Sequence, residues 1–309
     1  LVFSQLKLHR PYGGVVPELA SRAHLERLPL LFSELFTGLE IAPKDVTHVA
    51  VTRGPGLVNT LLVGIGFAQG FAYPKRLPLL GVNHLMGHLL SPDLTSPMVF
   101  PSLVFLATGG HTALYYLLSP DSIHLIKATV DDAIGEAFDK VAKLLGLPYP
   151  GGPSVEEKAR EGDENAISLP LPKPENPRAL SLSGLKTAVR RVIESQPALS
   201  PSFVADLCAS FQRTIGRMIL STLTSAIETY PETKAIYFVG GVARNQAIRR
   251  ILEELERGYG IPVVSPPPEF CTDNAAMIAR AGWEGFLRGL CDPWDLQPLS
   301  RWEVAPPGA

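Results

Sequence analysis

The apolar runs of this chain are short, and each is closed by a turn signal. Residues 46–52 end at Gly54-Pro55-Gly56, residues 77–82 at Asn83, Ser102–Ala107 at Gly109-Gly110, and Ala235–Val239 at Gly240-Gly241. Runs of that length bounded by Gly, Pro or Asn read as buried strands. Residues 1–8 and 261–265 read as further strands, and residues 113–118 as the return strand of a hairpin. Between the strands, apolar positions recur at helical spacing. Leu28, Leu31, Phe32 and Leu35 follow Pro17, which a first helical turn tolerates, and Gly38 is the expected stop. A helix from about Asn59 carries Gly64, Ala68 and Ala72 on one face, a spacing that predicts close packing on a sheet. A helix over 132–145 turns Phe138, Val141, Leu144 and Leu145 inward and stops at Gly146. Tyr149-Pro150-Gly151-Gly152-Pro153 reads as a rigid turn before a charged helix over 154–161. Residues 162–180, with Pro170, Pro172 and Pro174, read as a surface excursion, and Ser200-Pro201 caps a long helix to about Tyr230.

Candidate chemistry lies at the turns. A helix starting at Asn83 places His84 and His88 at i and i+4 on one face, where two imidazoles can share a metal ion. No Glu follows the first histidine, so this is not the zincin pattern. By themselves the residues leave open a metal pair or two packed or surface histidines. Gly109 and Gly110 form either a plain hairpin or a turn whose bare backbone N–H groups admit a phosphate. Asp139 stands beside an apolar stripe, as a boundary carboxylate or an acceptor of ribose hydroxyls. The strand, Gly-Gly turn and helix around Gly240–Asn245 make a mononucleotide-binding arrangement. Asp273 either caps the helix after it or completes a His-His-Asp metal site. Lys186, Arg190 and Arg191 form a solvated basic face or a patch for RNA phosphates.

Composition narrows the classes. The 309 residues are 46% hydrophobic, enough for two lobes with separate cores. A net charge of −2 gives no global basic field, though a local patch can still dock RNA. Cys208, Cys271 and Cys291 are too few for a disulfide framework or a zinc ribbon and fit a reducing cytoplasm. No run of about 18 apolar residues reads as a membrane span, and no signal peptide is visible.

Eight motifs occur together in one order: Tyr12-Gly-Gly-Val-Val-Pro-Glu-Leu-Ala-Ser-Arg-Ala-His24, Gly54-Pro-Gly-Leu57, Val82-Asn-His-Leu-Met-Gly-His88, Gly109-Gly-His-Thr112, Gly135-Glu-Ala-Phe-Asp-Lys140, Tyr149-Pro-Gly-Gly-Pro153, Gly240-Gly-Val-Ala243 and Cys271-Thr-Asp-Asn-Ala-Ala-Met-Ile-Ala279. The combination resembles the bacterial tRNA threonylcarbamoyladenosine transferase family, formerly called O-sialoglycoprotein endopeptidases. The resemblance implies an α/β, two-lobed actin-like or Hsp70-like ATPase fold (the ASKHA superfamily), with nucleotide and metal in an interlobe cleft. The expected lobes are 1–98 with 290–309, and 99–289. Carried over by position, it implies that His84, His88 and Asp273 hold a divalent ion, iron or zinc. Leu106, Ala107, Thr108, Gly109, Gly110, Asp139, Gly152, Glu156 and Asn245 are then expected at the adenylate.

The activity implied is transfer of threonylcarbamoyl from threonylcarbamoyl-AMP to N6 of the adenosine at tRNA position 37, with release of AMP. No side-chain nucleophile is needed, because the carbonyl arrives activated. The implied partners are tRNA, an upstream threonylcarbamoyl-AMP synthase, a paralogous actin-like subunit (TsaB-like) and a small P-loop ATPase (TsaE-like), in the cytoplasm and without a membrane. Two departures stand out. Met86 replaces the Glu often found between the histidines, and the sequence begins after the family's opening strand and phosphate loop, so one wall of the cleft is expected to be open. The alternatives are an actin-like ATPase or kinase, a scaffold subunit of the same complex, and a metalloprotease, which would need a general-base Glu where Met86 stands.

Overall fold

The computed structural model describes residues 1–39, 41–172 and 176–304. Along the chain it contains α1 (Leu6–His9), α2 (Pro17–Gly38), β1 (Val49–Gly54), α3 (Val58–Ala72), β2 (Leu79–Asn83) and α4 (His84–Leu90). β3 (Ser102–Ala107), β4 (Thr112–Ser119), β5 (Ser122–Thr129), α5 (Ile134–Leu144), α6 (Gly151–Ala159), β6 (Ala179–Leu180), α7 (Ser183–Glu194) and α8 (Pro201–Thr229) follow. β7 (Ala235–Val239), α9 (Gln246–Tyr259), β8 (Val263–Val264), α10 (Pro268–Cys271) and α11 (Ala275–Leu287) complete the elements used here. Two compact units result. Unit 1 takes Leu1–Leu94 and the chain from Asp273 on, and unit 2 takes Thr95–Thr272.

Unit 2 is built on a mixed sheet of order β6-β5-β4-β3-β7-β8. β3 lies inside it, antiparallel to β4 and parallel to β7, and every residue of β3 and β7 is buried. Strands covered on both faces need continuous apolar runs, as Ser102–Ala107 and Ala235–Val239 supply. α8 starts where Ser200 Oγ accepts the Phe203 N–H and buries one long face in the same core. Gly216 lets α9 close on α8, because a Cβ there would stand 2.5 Å from Ile251 Cδ1.

In unit 1, β1 and β2 pair in parallel, Val49 opposite Leu79. α3 packs on one face, where a Cβ on Gly64 would meet Val51 at 3.7 Å. α11 covers the other face. A Cβ on Gly282 would lie 2.5 Å from Ala50 Cβ, and one on Gly285 would collide with Leu80. Those glycines explain why α11 belongs to unit 1, although the sequence boundary at 289/290 assigned it to the second lobe.

Other expectations are corrected. Residues 1–8 form no strand; Leu8 and His9 donate back to the Gln5 carbonyl and α1 results. β5 went unread because a bulge at Ile126 breaks its alternation: Leu114 pairs with Lys127 but Tyr115 with Leu125. Leu144 faces outward, and Ile134, Ala137 and Ala142 join Phe138 and Val141 inside. The 149–153 turn is shorter than expected. Gly151, Gly152 and Pro153 are the first turn of α6, where a proline's missing N–H costs no helical bond. The 261–265 strand reduces to β8, and the excursion ends by adding β6 to the sheet. Pro174 of that excursion lies outside the described residues.

Ala favours a helix interior over Gly by about 1 kcal/mol. Gly282→Ala should nevertheless lower stability, since overpacking of this kind costs about 1–3 kcal/mol. Urea unfolding measures it. A raised midpoint would show that α11 does not press on β1 as described.

Candidate metal centre and nucleotide row

β2 delivers Asn83, whose side chain accepts the N–H groups of Leu85 and Met86 and so starts α4 at His84. His84 and His88 stand one turn apart, with ring centroids 4.8 Å from each other. Gly87 between them lets α4 meet α11, because a Cβ there would lie 2.9 Å from Ile278 Cδ1 and 3.0 Å from Met277 Cγ. A second tie joins the same segments: Arg280 of α11 pairs with Asp93, just past α4, at 2.5 Å. This packing brings the start of α11 to the histidines. Asn274, not Asp273, caps α11 through the Met277 N–H. Asp273 is thereby left to approach the imidazoles, its Oδ1 3.3 Å from His84 Nε2 and 3.1 Å from His88 Nε2.

These residues fit a divalent ion. Their donor atoms all lie within 4.8 Å of one another. Ligands about 2.1 Å from one ion, at tetrahedral or octahedral angles, stand roughly 3.0–3.4 Å apart, the range of both contacts. Imidazole nitrogen and carboxylate oxygen are the donors that iron and zinc accept. His88 is buried, and its Nδ1 has no hydrogen-bond partner among the described residues, so its polar contact runs through Nε2 to Asp273. The Asp273 side chain keeps 77% of its surface exposed, which leaves one side of the set open. Desolvation works to raise the Asp273 pKa; hydrogen bonds and charge from His84 and His88 outweigh it and hold the carboxyl well below the ordinary range.

In unit 2 the residues expected at the adenylate are linked from Thr108 to Asn245, while Leu106 and Ala107 are buried within β3. The Thr108–His111 turn closes by the Thr108 N–H donating to the His111 carbonyl and the His111 N–H to Thr108 Oγ1. No atom lies within 4 Å of where a Cβ would stand on Gly109 or Gly110, so their backbone is open to a ligand. Behind the turn the fit is tight. Gly135 donates to the Thr108 carbonyl at 3.1 Å, and a Cβ on Gly135 would lie 2.7 Å from Gly109 Cα. Gly240, at φ +93°, packs against Ala107 and Thr108. Asp139 is one helical turn beyond Gly135 and accepts the Gly151 N–H at 2.6 Å. Gly152 follows, and Glu156 one turn later accepts the Gln246 N–H at 2.9 Å. Asn245 ends the row buried, accepting from Ile248 and donating to Gln212. A cavity of about 210 Å³, lined by Glu156, Arg160, Gln212, Gln246 and Arg250 among others, shares only Glu156 with the residues expected at the adenylate.

The basic cluster is different in kind. Lys186 donates to Asp132 at 2.9 Å and Arg190 to Glu194 at 2.7 Å. Arg191 is exposed on α7. Reading for ligand donors missed Gly87, Gly135 and Gly151, which admit neighbouring atoms. They stand inside the quoted motifs, and that was their only signal.

The chain is thus an α/β protein with a three-donor cluster in one unit and an open Gly-Gly turn in the other. Its fold is similar to two solved structures of HypF. One is full-length HypF in the phosphate- and nucleotide-bound form, with TM-score 0.57, 15% identity, and coverage of 79% of this chain and 39% of that one. The other is T. kodakarensis HypF, with TM-score 0.60, 15% identity, and coverage of 81% and 42%. The TsaD family, tRNA N6-adenosine threonylcarbamoyltransferase, matches residues 1–280, and the chain belongs to it. Transferases of that description from Bartonella bacilliformis and Afipia carboxidovorans are 44% and 45% identical, over 98% of this chain and 87% of each relative.

Burial raises the Asp139 pKa, and the Gly151 N–H offsets this only in part. A carboxyl raised on folding stabilises at low pH, and that contribution is lost as pH rises through the folded pKa. Asp139→Asn keeps an acceptor for Gly151, so it should flatten the loss of stability above the ordinary carboxylate range. Urea midpoints from about pH 4 to about pH 7 test this. An unchanged pH profile would mean that Asp139 is not desolvated.

Proposed function

We propose that this chain carries out its family's reaction with one divalent ion, iron or zinc, held by Nε2 of His84, Nε2 of His88 and a carboxylate oxygen of Asp273. The substrate held along the row from Gly109 to Asn245 is threonylcarbamoyl-AMP, and the threonylcarbamoyl group passes to N6 of the adenosine at tRNA position 37 as AMP leaves. The observation that supports this most is the convergence of three neutral or anionic donors with one side open. A bound ion would supply Lewis acidity toward phosphate or carbamoyl oxygen.

The chain's own residues do the rest. Backbone N–H groups of Gly109 and Gly110 face the developing negative charge, and the glycines packed behind them keep that turn from shifting. Asp139 Oδ1 is held by Gly151, leaving Oδ2 to accept a ribose hydroxyl. Glu156 supports the row from the start of α9 and offers a second acceptor nearby. The adenosine amine is a weak nucleophile on an unpaired loop base, so it can be splayed out without melting a duplex. Met86 stands where peptide hydrolysis would want a general-base carboxylate. The reading also carries a cytoplasmic setting, a threonylcarbamoyl-AMP synthase upstream, and TsaB-like and TsaE-like partner subunits. Among the described residues no helix is long and apolar enough to cross a membrane.

Transfer of labelled threonylcarbamoyl from its adenylate to tRNA tests this, with the partner subunits supplied. Product is expected only with metal-loaded protein. His84→Ala, His88→Ala and Asp273→Ala should lose bound metal and product together while far-UV dichroism stays unchanged. Full transfer by metal-stripped protein would remove the ion from the reaction; no transfer by loaded protein would remove the reaction itself.

A further inference from the structure

The motif 135–140 contains a lysine that the reaction above does not use. Lys140 Nζ pairs with Asp132 Oδ1, and Lys186 Nζ pairs with Oδ2 of the same carboxylate at 2.9 Å. Two ammonium groups therefore share one carboxylate, which is mostly buried, while the lysine side chains are 41% and 36% exposed. Asp131 and Glu136 also act on Lys140 by charge, but their hydrogen bonds go to other groups. Asp131 accepts the Leu182 and Ser183 N–H groups and the Ser181 hydroxyl at the start of α7, and Glu136 accepts the Ala133 N–H. Each ammonium has three N–H donors, so both keep capacity beyond their bond to Asp132 for an oxyanion.

Its place in the sheet says which one. Asp132 lies three residues past the carboxyl end of β5, its carbonyl accepting from Thr129 Oγ1, and Lys186 lies in the first turn of α7, just past the carboxyl end of β6. β5 pairs with β4 so that Ala128 stands opposite Ala113, which sets this end of β5 beside the Thr108–His111 turn. The same loop touches that turn: Ile134 donates to Thr112 Oγ1 at 2.9 Å and Gly135 to Thr108. Ligands of open α/β sheets lie outside the carboxyl ends of the strands. From the β3–β4 turn to β5 and β6 is one to two strand spacings, about 5–10 Å. In the acyl donor, threonine's nitrogen is taken up in the carbamoyl bond, so its carboxylate stays free. Five covalent bonds separate it from the phosphorus, about 6 Å in all. With phosphate at Gly109-Gly110, that carboxylate comes within reach of a lysine side chain from the pair.

We infer that Lys140 and Lys186, set together by Asp132 at the carboxyl end of β5 and β6, form the subsite for the free carboxylate of the donor's amino-acid part. This rests on the threonylcarbamoyl-AMP reading and makes the pair the element that selects an amino-acid-derived donor. Lys140 and Lys186 touch the substrate, and Asp132 is a positioning residue.

Binding of two non-transferable amide-linked donor analogues tests it, one built on threonine and one on threoninol, which lacks the carboxylate. Wild type should hold the threonine analogue about ten- to a hundredfold tighter, the usual span for a charged hydrogen bond. Lys186→Gln and Lys140→Gln should each reduce that ratio to within about threefold, with threoninol binding unchanged and Lys186→Arg largely restoring it. Equal loss of both analogues would overturn the subsite, as would a ratio that neither variant moves. Unchanged analogue binding with a flatter salt dependence of tRNA binding would overturn it too, assigning the lysines to RNA phosphates. If wild type binds neither analogue, the donor reading itself falls.

Discussion

The meeting of His84, His88 and Asp273 depends on how closely α11 lies against β1, β2 and α4. That approach is made by residues with no side chain. Gly282 admits Ala50, Gly285 admits Leu80, and Gly87 admits Met277 and Ile278. Only with the helices at this separation does the residue preceding the Asn274 cap come within hydrogen-bond distance of two imidazoles. The carboxylate is thus placed by packing, and its charge is then held by His84 and His88. A helix moved outward by one methyl group would leave a pair of histidines and an unrelated aspartate.

Unit 2 applies the same device around the Thr108–His111 turn. The turn keeps its glycine backbone bare and its position fixed. Bareness comes from Gly109 and Gly110, and fixity from Gly135 and Gly240 behind them, where added side chains would strike backbone. Gly151 does likewise for Asp139, since its N–H and its missing Cβ both sit against that residue. Preorganisation of this kind lets backbone dipoles act on charge without first being reoriented.

Much of this was legible in the sequence, for identifiable reasons. Strands buried on both faces and closed by Gly-Gly or Asn, such as Ser102–Ala107 and Ala235–Val239, announce themselves through continuous apolar runs. The cap at Asn83 set the phase of α4 and hence the pairing of His84 with His88. What stayed hidden was decided by tertiary contact. The bulge at Ile126 concealed β5, and a two-residue β6 has too little pattern to read. Asp273 is free of the cap because Asn274 takes it, which no spacing rule separates from its neighbour doing so. Asp132 lies 54 positions from Lys186, so the sharing of its carboxylate by two lysines had no local signal.

The central claim is that three side chains brought together by this packing hold one divalent ion. X-ray absorption on protein loaded with one equivalent of iron or zinc tests it most directly. The account predicts a first shell of two imidazole nitrogens and carboxylate oxygen at about 2.0–2.2 Å, with the remaining positions filled by solvent or substrate oxygen. With Asp273→Ala that shell should be absent, because the ion is no longer held. A shell with no imidazole scattering, or one containing sulfur, would contradict it.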